Sequence, residues 1–398
     1  MNKNKLIVMF ITFAVLIAVT PLIFGKLMNS KFNQMLNDLR AKGMKIEVVE
    51  DKSTYLQTDK VLEVTLPAKL LNDNGIIDEV KLKIETKFKN LPVTNVVFLG
   101  DLKKIVLTQP YKNNEKELND FLGRFIHFTV TTPNFRDYSY KFDDIVINDT
   151  PKFGIEDIKG VFSSSDIFKN KLTVKDIYVK DQKGFIEVKN LKNQFEGNEK
   201  ESYSKTEFNL NVNVNQFQLQ VNNISSTTKT VLDKKVTVIS TLGFESLIVP
   251  NALSAKKLDI KAELKGVDRA LLEKLAVANE YEKETYIDQI FEKGFDININ
   301  SNLKDVTVMN KKMGGYELSL NIKFLPTQNF REKVNTNNID FVDAKLHLVT
   351  TPEIAGILMN TVPQSSFLFA LAKKENGQVI LNLEFKQGRL YSEGQLIQ

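Results

Sequence analysis

Two histidines are the first candidates for chemistry in this chain. His127 and His347 each stand a few residues before the tripeptide Thr-Thr-Pro, at positions 131–133 and 350–352. As a pair they could form a pH-sensitive or metal-binding site, because imidazole titrates near neutral pH and binds transition metals. The surrounding alternation favours a simpler interpretation, in which both are strand residues that precede a proline-terminated strand end.

Other residues with catalytic potential lack the spacing that their chemistry needs. The acidic stretch between residues 143 and 157 has neither the alternating oxygen ligands nor the turn glycine of a calcium loop. Ser163-Ser164-Ser165-Asp166 lacks the G-x-S-x-G pattern of a hydrolase and is interpreted as a turn. Met313-Gly314-Gly315 has no following Lys-Ser/Thr, so we interpret it as a hairpin turn. The sequence therefore predicts no catalytic, metal or cofactor site.

The composition excludes several classes of function. The chain has no cysteine, which excludes disulfides, iron–sulfur clusters, thiolate zinc sites and a cysteine nucleophile. Its net charge of +5 is spread along the chain without lysine or arginine clusters interleaved with aromatic residues, so nucleic acid is not a predicted partner.

Period-two alternation dominates the chain beyond residue 44 and predicts antiparallel strands with one wet face. The clearest strand has asparagine at 209, 211 and 213 on one face. Its other face, our candidate apolar sheet face, consists of Phe208, Leu210, Val212 and Val214. Further strands are predicted at Lys45–Val48, Val61–Leu66, Val80–Phe88, Phe125–Thr132, Tyr138–Ile147, Lys171–Val179, Phe185–Leu191, Phe295–Met309, Tyr316–Phe324, Ile339–Val349, Val379–Phe385 and Leu390–Leu396.

A few helices interrupt this pattern. Helical spacing predicts helices at Asn114–Phe125, Asp268–Lys293, Pro352–Met359 and Ser365–Lys373. Asp268 is the expected N-cap of the longest one. Two strand-to-helix segments, at 258–275 and 342–359, look similar and suggest a duplicated unit within residues 255–398.

The N-terminal region predicts a membrane anchor. The 19 residues Leu6–Phe24 are uncharged and span about 28 Å as a helix, enough to cross a bilayer core. The anchor residues that we single out are Leu6, Phe10, Phe13, Leu16, Leu22 and Phe24. A cleaved signal peptide is the alternative, but its small-residue exit at Ala18-Val19-Thr20 is followed directly by Pro21.

These features predict a domain order and a fold class. We expect a short cytoplasmic tail at 1–5, a transmembrane anchor at 6–24, a juxtamembrane helix at 25–43 and a periplasmic β-rich domain at 44–398. The expected class is mainly β with minor α (α+β). The expected domain is a large, elongated, mostly antiparallel, curved sheet with a few capping helices.

Several motifs resemble the YdgA-type family of bacterial envelope proteins. They are Tyr316-Glu317-Leu318-Ser319-Leu320-Asn321, Asp343-Ala344-Lys345-Leu346 and Gly388-Arg389-Leu390-Tyr391 followed by Gly394-Gln395. The resemblance follows the order of most of the chain and is best from about Asp268 to Gln395. It implies a domain in the periplasm, anchored in the bacterial inner membrane by a single span, and it brings no active site.

Three functions remain open from the sequence. The first is a non-catalytic envelope protein whose apolar sheet face or groove binds lipid or an apolar partner segment, although the same side chains could fill a closed core. The second is a scaffold or assembly factor for other envelope proteins, including motility or surface structures, without a small-molecule ligand. The third, an unrecognised enzyme such as a hydrolase, has no supporting motif. The oligomeric state is open.

Overall fold

The part of the chain that the structure describes is mostly antiparallel, open β-sheet with few helices, so the predicted class is confirmed at this level. The computed structural model describes residues 30–54, 57–67, 76–89, 95–109, 111–123, 127–148, 150–164, 167–336, 338–361 and 365–397. The predicted tail and anchor at 1–24 lie outside the described residues, as do 25–29 of the juxtamembrane helix. In the part that is described, none of the helices has the length and apolar character to cross a membrane.

The strands are long and follow one another closely. In chain order they are β1 (Lys45–Asp51), β2 (Gln57–Pro67), β3 (Ile77–Lys89), β4 (Val96–Leu107), β5 (His127–Thr132), β6 (Asp137–Phe142), β7 (Ile145–Ile147), β8 (Lys152–Glu156), β9 (Lys159–Ser164), β10 (Phe168–Asp181), β11 (Gly184–Gly197), β12 (Glu201–Val214), β13 (Phe217–Leu232), β14 (Lys235–Val249), β15 (Leu253–Asp268), β16 (Phe295–Val308), β17 (Lys311–Phe324), β18 (Val342–Thr350), β19 (Lys373–Glu375), β20 (Gln378–Lys386), β21 (Arg389–Ser392) and β22 (Gln395–Leu396).

The helices are short. They are α1 (residues 30–41), a 3-10 turn (Tyr111–Asn114), α2 (Glu115–Leu122), α3 (Arg269–Val277), α4 (Glu280–Lys293), α5 (Phe330–Asn335), α6 (Pro352–Thr361) and α7 (Ser365–Ala370). As expected, Asp268 caps α3, since its carboxylate accepts the N–H of Leu271 at 3.1 Å.

The predicted helical segment Asp268–Lys293 is a pair of helices, because α3 and α4 are separate. Ala278 has an extended backbone that ends α3. Asn279 then starts α4 with a reciprocal capping box: its side chain accepts the N–H of Glu282 at 3.0 Å, and its own N–H donates to the Glu282 carboxylate at 3.2 Å.

Three other predicted elements also need correction. The strand Tyr138–Ile147 is two strands, because β6 pairs with β5 and β9 whereas β7 pairs with β8. The strand Leu390–Leu396 is a hairpin that turns at Glu393 and Gly394, both with positive φ. The helix Ser365–Lys373 ends at Ala370, since Lys373 already belongs to β19.

The chain divides into two compact units, residues up to Lys175 and Asp176–Gln398. In the first unit the ladders give the strand order β1-β2-β3-β4-β5-β6-β9-β10, all antiparallel. Helix α1 packs on this sheet. Phe32, which is completely buried, lies 6.1 Å from Phe88 and 6.2 Å from Phe98 and Phe135 between ring centroids, so the first unit has a closed core.

The second unit is an antiparallel meander in which neighbours in sequence are neighbours in the sheet. Its ladders give the order β11-β12-β13-β14-β15-β16-β17-β18-β20-β21-β22, with β19 also paired to β20. The two strand-to-helix segments suggested as a duplication are β15 with α3 and β18 with α6. Because β15 and β18 are antiparallel, the two helices follow opposite ends of the sheet.

Candidate functional site

One face of the second unit's sheet is apolar, and β12 is its reference strand. The structure places Phe208, Leu210, Val212 and Val214 on alternate positions of β12. Val188 of β11 and Val221 of β13 are paired with Leu210, so they share its face. Asn209, Asn211 and Asn213 lie on the other face. The four candidate residues are therefore part of a surface that extends to both neighbouring strands.

The same face continues across the meander as far as β20. Directly paired residues carry it from strand to strand, since cross-strand partners point to the same side. Its members beyond β12 include Ile224, Leu242, Phe244, Leu258, Ile260, Ile299, Leu303, Leu318, Leu320, Leu346, Leu348, Leu381 and Leu383. We call this surface the apolar face.

Apolar residues on this face are normally two positions apart along a strand. In each of five strands, one pair of successive apolar residues is instead three positions apart, which we call a three-residue step. These steps are Val188–Leu191 in β11, Val221–Ile224 in β13, Phe244–Leu247 in β14, Ala255–Leu258 in β15 and Leu303–Val306 in β16. Each step contains an extra residue, as in a β-bulge, so the apolar side chains before and after it stay on one face. Asn190, Asn223 and Lys257 have the positive φ typical of such positions.

The extra residues of β13, β14, β15 and β16 lie beside one another, and that of β11 lies on the far side of β12. Together they form a line that we call the crease, through residues 190, 223, 245, 257 and 304. The side-chain amide of Asn223 donates to the Glu245 carboxylate across this line. Ser246 pairs with Lys256 and Phe244 with Leu258, which places 245 opposite 257. Bulges bend a strand and increase its twist, so a line of them bends the sheet locally.

Two strands cross the crease without an extra residue, and each accommodates it differently. In β12 the side-chain oxygen of Asn209 accepts the N–H of Asn223 at 2.8 Å. In β17 a glycine is required, because a Cβ at Gly315 would lie 2.1 Å from the carbonyl oxygen of Leu303. Met313-Gly314-Gly315 is therefore not the hairpin turn that we predicted. It lies inside β17, and the turn is at Met309 and Asn310.

Helices cover the apolar face only in part. At one end Leu264 packs with buried Val267, Leu271 and Ile290 of the α3–α4 region. Toward β20, α6 contacts both β17 and β20, and Leu381 is buried. On strands that precede β15 in the sheet order, the face is open to solvent at several points: Ile186 of β11 is 48% and Leu242 of β14 is 49% exposed.

The opposite face is polar from strand to strand. Lys261, Asn300, Ser319, His347 and Asn382 are successive cross-strand partners in one row. His347 Nδ1 lies 2.5 Å from Asn382 Oδ1, and the Asn382 amide donates to Glu393 at 2.7 Å. The row is therefore polar along its length, and its side chains are hydrogen-bonded at the His347–Asn382–Glu393 end.

The two histidines have separate partners in different units. In the first unit His127 Nδ1 lies 2.7 Å from Asp101 Oδ1, across the β4–β5 ladder. His347 belongs to the polar row of the second unit. Among the residues that the structure describes, no group of three or more His, Cys, Asp or Glu side chains is arranged to hold a metal ion.

The acidic and serine segments are distributed among loops and strand ends. Asp144 accepts the N–H of Asp157 at 2.7 Å, and Asp157 pairs with Lys159 at 2.8 Å. Ser163 lies in β9, not in a turn. Asp149 and residues 165–166 lie outside the described residues.

Two carboxylates, Glu115 and Glu187, are held in their ionised form by neighbouring lysines. Lys112 and Lys104, with the N–H of Leu107, lower the pKa of Glu115 to about 2. Burial opposes ionisation of Glu187, but ion pairs with Lys189 and Lys180 outweigh it and keep its pKa below the usual value. A general acid or base needs a pKa near the working pH, so neither carboxylate fits that role.

Comparisons with protein-family models, with curated proteins and with solved structures give no match. The candidate site therefore depends on the geometry of this chain, and its main feature is the partly open apolar face with the crease across it.

Proposed function

We propose that this protein is a non-catalytic, membrane-anchored envelope protein whose apolar face binds the acyl chains of lipids. The observation that carries the proposal is the set of aligned three-residue steps. Five strands each carry an extra residue at the same line, and the effect is to keep apolar side chains on one face across the bend. An exposed apolar surface is unfavourable in water unless a ligand covers it.

An acyl chain is the ligand that this surface fits best. It has no hydrogen-bonding groups, so an aliphatic surface of leucine, isoleucine and valine can bind it by burial alone. The half-exposed Ile186 and Leu242 give it access in the region that helices leave open. The bend at the crease, in this proposal, turns an elongated, curved sheet into a trough for the chain.

Two further features support a location at the membrane. The uncharged segment Leu6–Phe24 has the length of a bilayer span. The resemblance to YdgA-type envelope proteins implies an inner-membrane anchor with the domain in the periplasm. A protein held at a bilayer by such an anchor is next to a supply of acyl chains.

The test is the lipid content of the full-length protein purified in mild detergent, measured by native mass spectrometry and by solvent extraction. We expect co-purifying lipid in the wild type and a loss of most of it in Leu242→Asp. Because Leu242 is half exposed, the introduced carboxylate faces water in the lipid-free protein, and the melting temperature should change little.

The matched control is Asn213→Asp, which places the same charge on the polar face, opposite the uncharged Phe185 and Gln218. This variant should keep both its lipid and its melting temperature. A wild type without lipid, or equal lipid in both variants, would contradict the proposal. A co-purifying protein chain instead of lipid would favour the scaffold function.

A further inference from the structure

Three hairpin turns at one end of the second unit's sheet carry exposed apolar side chains. We call these turns, at residues 214–217, 249–253 and 308–311, the hairpin rim. Met309 is 78% exposed and Phe217 is 52% exposed. The N–H of Met309 donates to the carbonyl oxygen of Ala252 at 2.8 Å, so neighbouring turns are bonded together.

Met309 is an unfavourable residue for the turn that it occupies. Val308 pairs with Lys311, and both intervening residues, Met309 and Asn310, have positive φ (47° and 64°). A two-residue turn of this type favours asparagine, aspartate or glycine at both positions. Asn215 and Asn251 of the other two turns follow that preference. Among the described residues Met309 is the most exposed large apolar side chain, so packing does not explain it either.

The rim is continuous with the apolar face. Val308 pairs with Leu253, and Val249 also pairs with Leu253, so the apolar row of that face ends at these turns. A ligand on the apolar face would therefore meet Phe217 and Met309 as it left the sheet at this end.

Lysines flank the rim. Lys183, Lys311 and Lys312 are exposed next to the turns. Two carboxylates lie nearby. Asp181 accepts the N–H groups of Lys183 and Gly184 within its own turn, and Asp305 lies 3.9 Å from Lys312. The combination of exposed apolar tips and flanking lysines is complementary to the headgroup region of a bilayer that contains anionic lipid.

We propose that the hairpin rim docks on the surface of an anionic lipid bilayer, with Met309 and Phe217 inserted among the headgroups and the lysines on lipid phosphates. This inference rests on the proposed function, since it makes the rim the end at which acyl chains enter or leave the apolar face.

The absence of native cysteine allows a direct test on the full-length chain. The probe is an environment-sensitive fluorophore on a single introduced cysteine, Gln216→Cys in the rim or Lys234→Cys in the β13–β14 turn at the opposite end of the sheet. Each labelled protein is reconstituted in vesicles of phosphatidylethanolamine and phosphatidylglycerol that contain spin-labelled lipid. We expect a blue shift and strong quenching at 216, and neither at 234.

A second variant separates docking from folding. Met309→Asn gives the turn its preferred residue, so the melting temperature should be at least that of the parent while quenching at 216 falls several-fold. Equal quenching at 216 and 234, or undiminished quenching in Met309→Asn, would overturn the inference. The lipid content of the same proteins, measured in detergent before reconstitution, distinguishes the two proposals. Bound lipid without quenching at 216 overturns docking alone. The absence of bound lipid overturns both, because the docking inference rests on the proposed function.

Discussion

At the scale of single residues, Gly315 shows how the crease constrains the sequence. A methyl group at this position would meet two backbone oxygens, of Leu303 at 2.1 Å and of Lys304 at 2.3 Å. Backbone atoms in a paired strand cannot move aside as a flexible side chain does. We therefore expect Gly315→Ala to destabilise the protein by about 1–3 kcal/mol, the range typical of overpacking.

The matched control is Gly356→Ala in α6, where an added Cβ meets nothing within 4 Å. Removing a glycine from a helix interior should stabilise by about 0.5–1 kcal/mol. Chemical denaturation of both variants measures the difference, and equal stabilities would show that β16 and β17 do not approach each other as described.

The same glycine shows what local sequence leaves undecided. Met313-Gly314-Gly315 is compatible with a hairpin turn or with a bulged strand, because both need small residues. The choice depends on where the β16 carbonyl groups lie, and those belong to another strand. Asp268, by contrast, was predictable as a cap because its partner Leu271 is only three residues away.

At the scale of elements, α1 packs on the first unit's sheet through one completely buried side chain. Phe32 is completely buried among three phenylalanine rings of the first unit. Phe32→Ala should cost about 3–5 kcal/mol through lost contacts and a cavity. Hydrogen exchange should show reduced protection in β2–β4, whereas β12–β17 of the second unit should keep theirs.

Gln34→Ala, an exposed position on the same helix, is the control and should leave exchange unchanged. A loss of protection spread evenly over residues 176–398 in Phe32→Ala would show that the two units do not unfold separately.

Strand alternation was readable from sequence because it is a local property, and the pattern of β12 is the clearest instance. The crease was not predicted, although its signal is present. Each three-residue step, such as Val221–Ile224, is by itself indistinguishable from the end of a strand. Only the register shows that five such steps are aligned. The break between β6 and β7 was missed in the same way, because it is defined by which strands each of them pairs with and not by the sequence of the segment itself.

At the scale of the whole molecule, the proposed membrane anchor can be tested. In the proposed topology, a reporter that is active only in the periplasm should be active when fused after Gln398. Deletion of Leu6–Phe24 should abolish this activity. Activity of a cytoplasmic reporter at the same position would reverse the orientation, and a mature protein that begins near Pro21 would identify a cleaved signal peptide.

The meander of the second unit also has a consequence for how the chain reaches its folded state. Most of its ladders join consecutive strands, several of them through tight turns. The longer connections are α3–α4 between β15 and β16, α5 between β17 and β18, and the α6–α7 segment with β19 between β18 and β20. Such local pairing lowers the contact order, which favours fast folding. A chain that emerges N-terminus first during synthesis can therefore add each new strand to the one before it. In every intermediate of this process the newest strand is an unpaired edge until the next strand arrives.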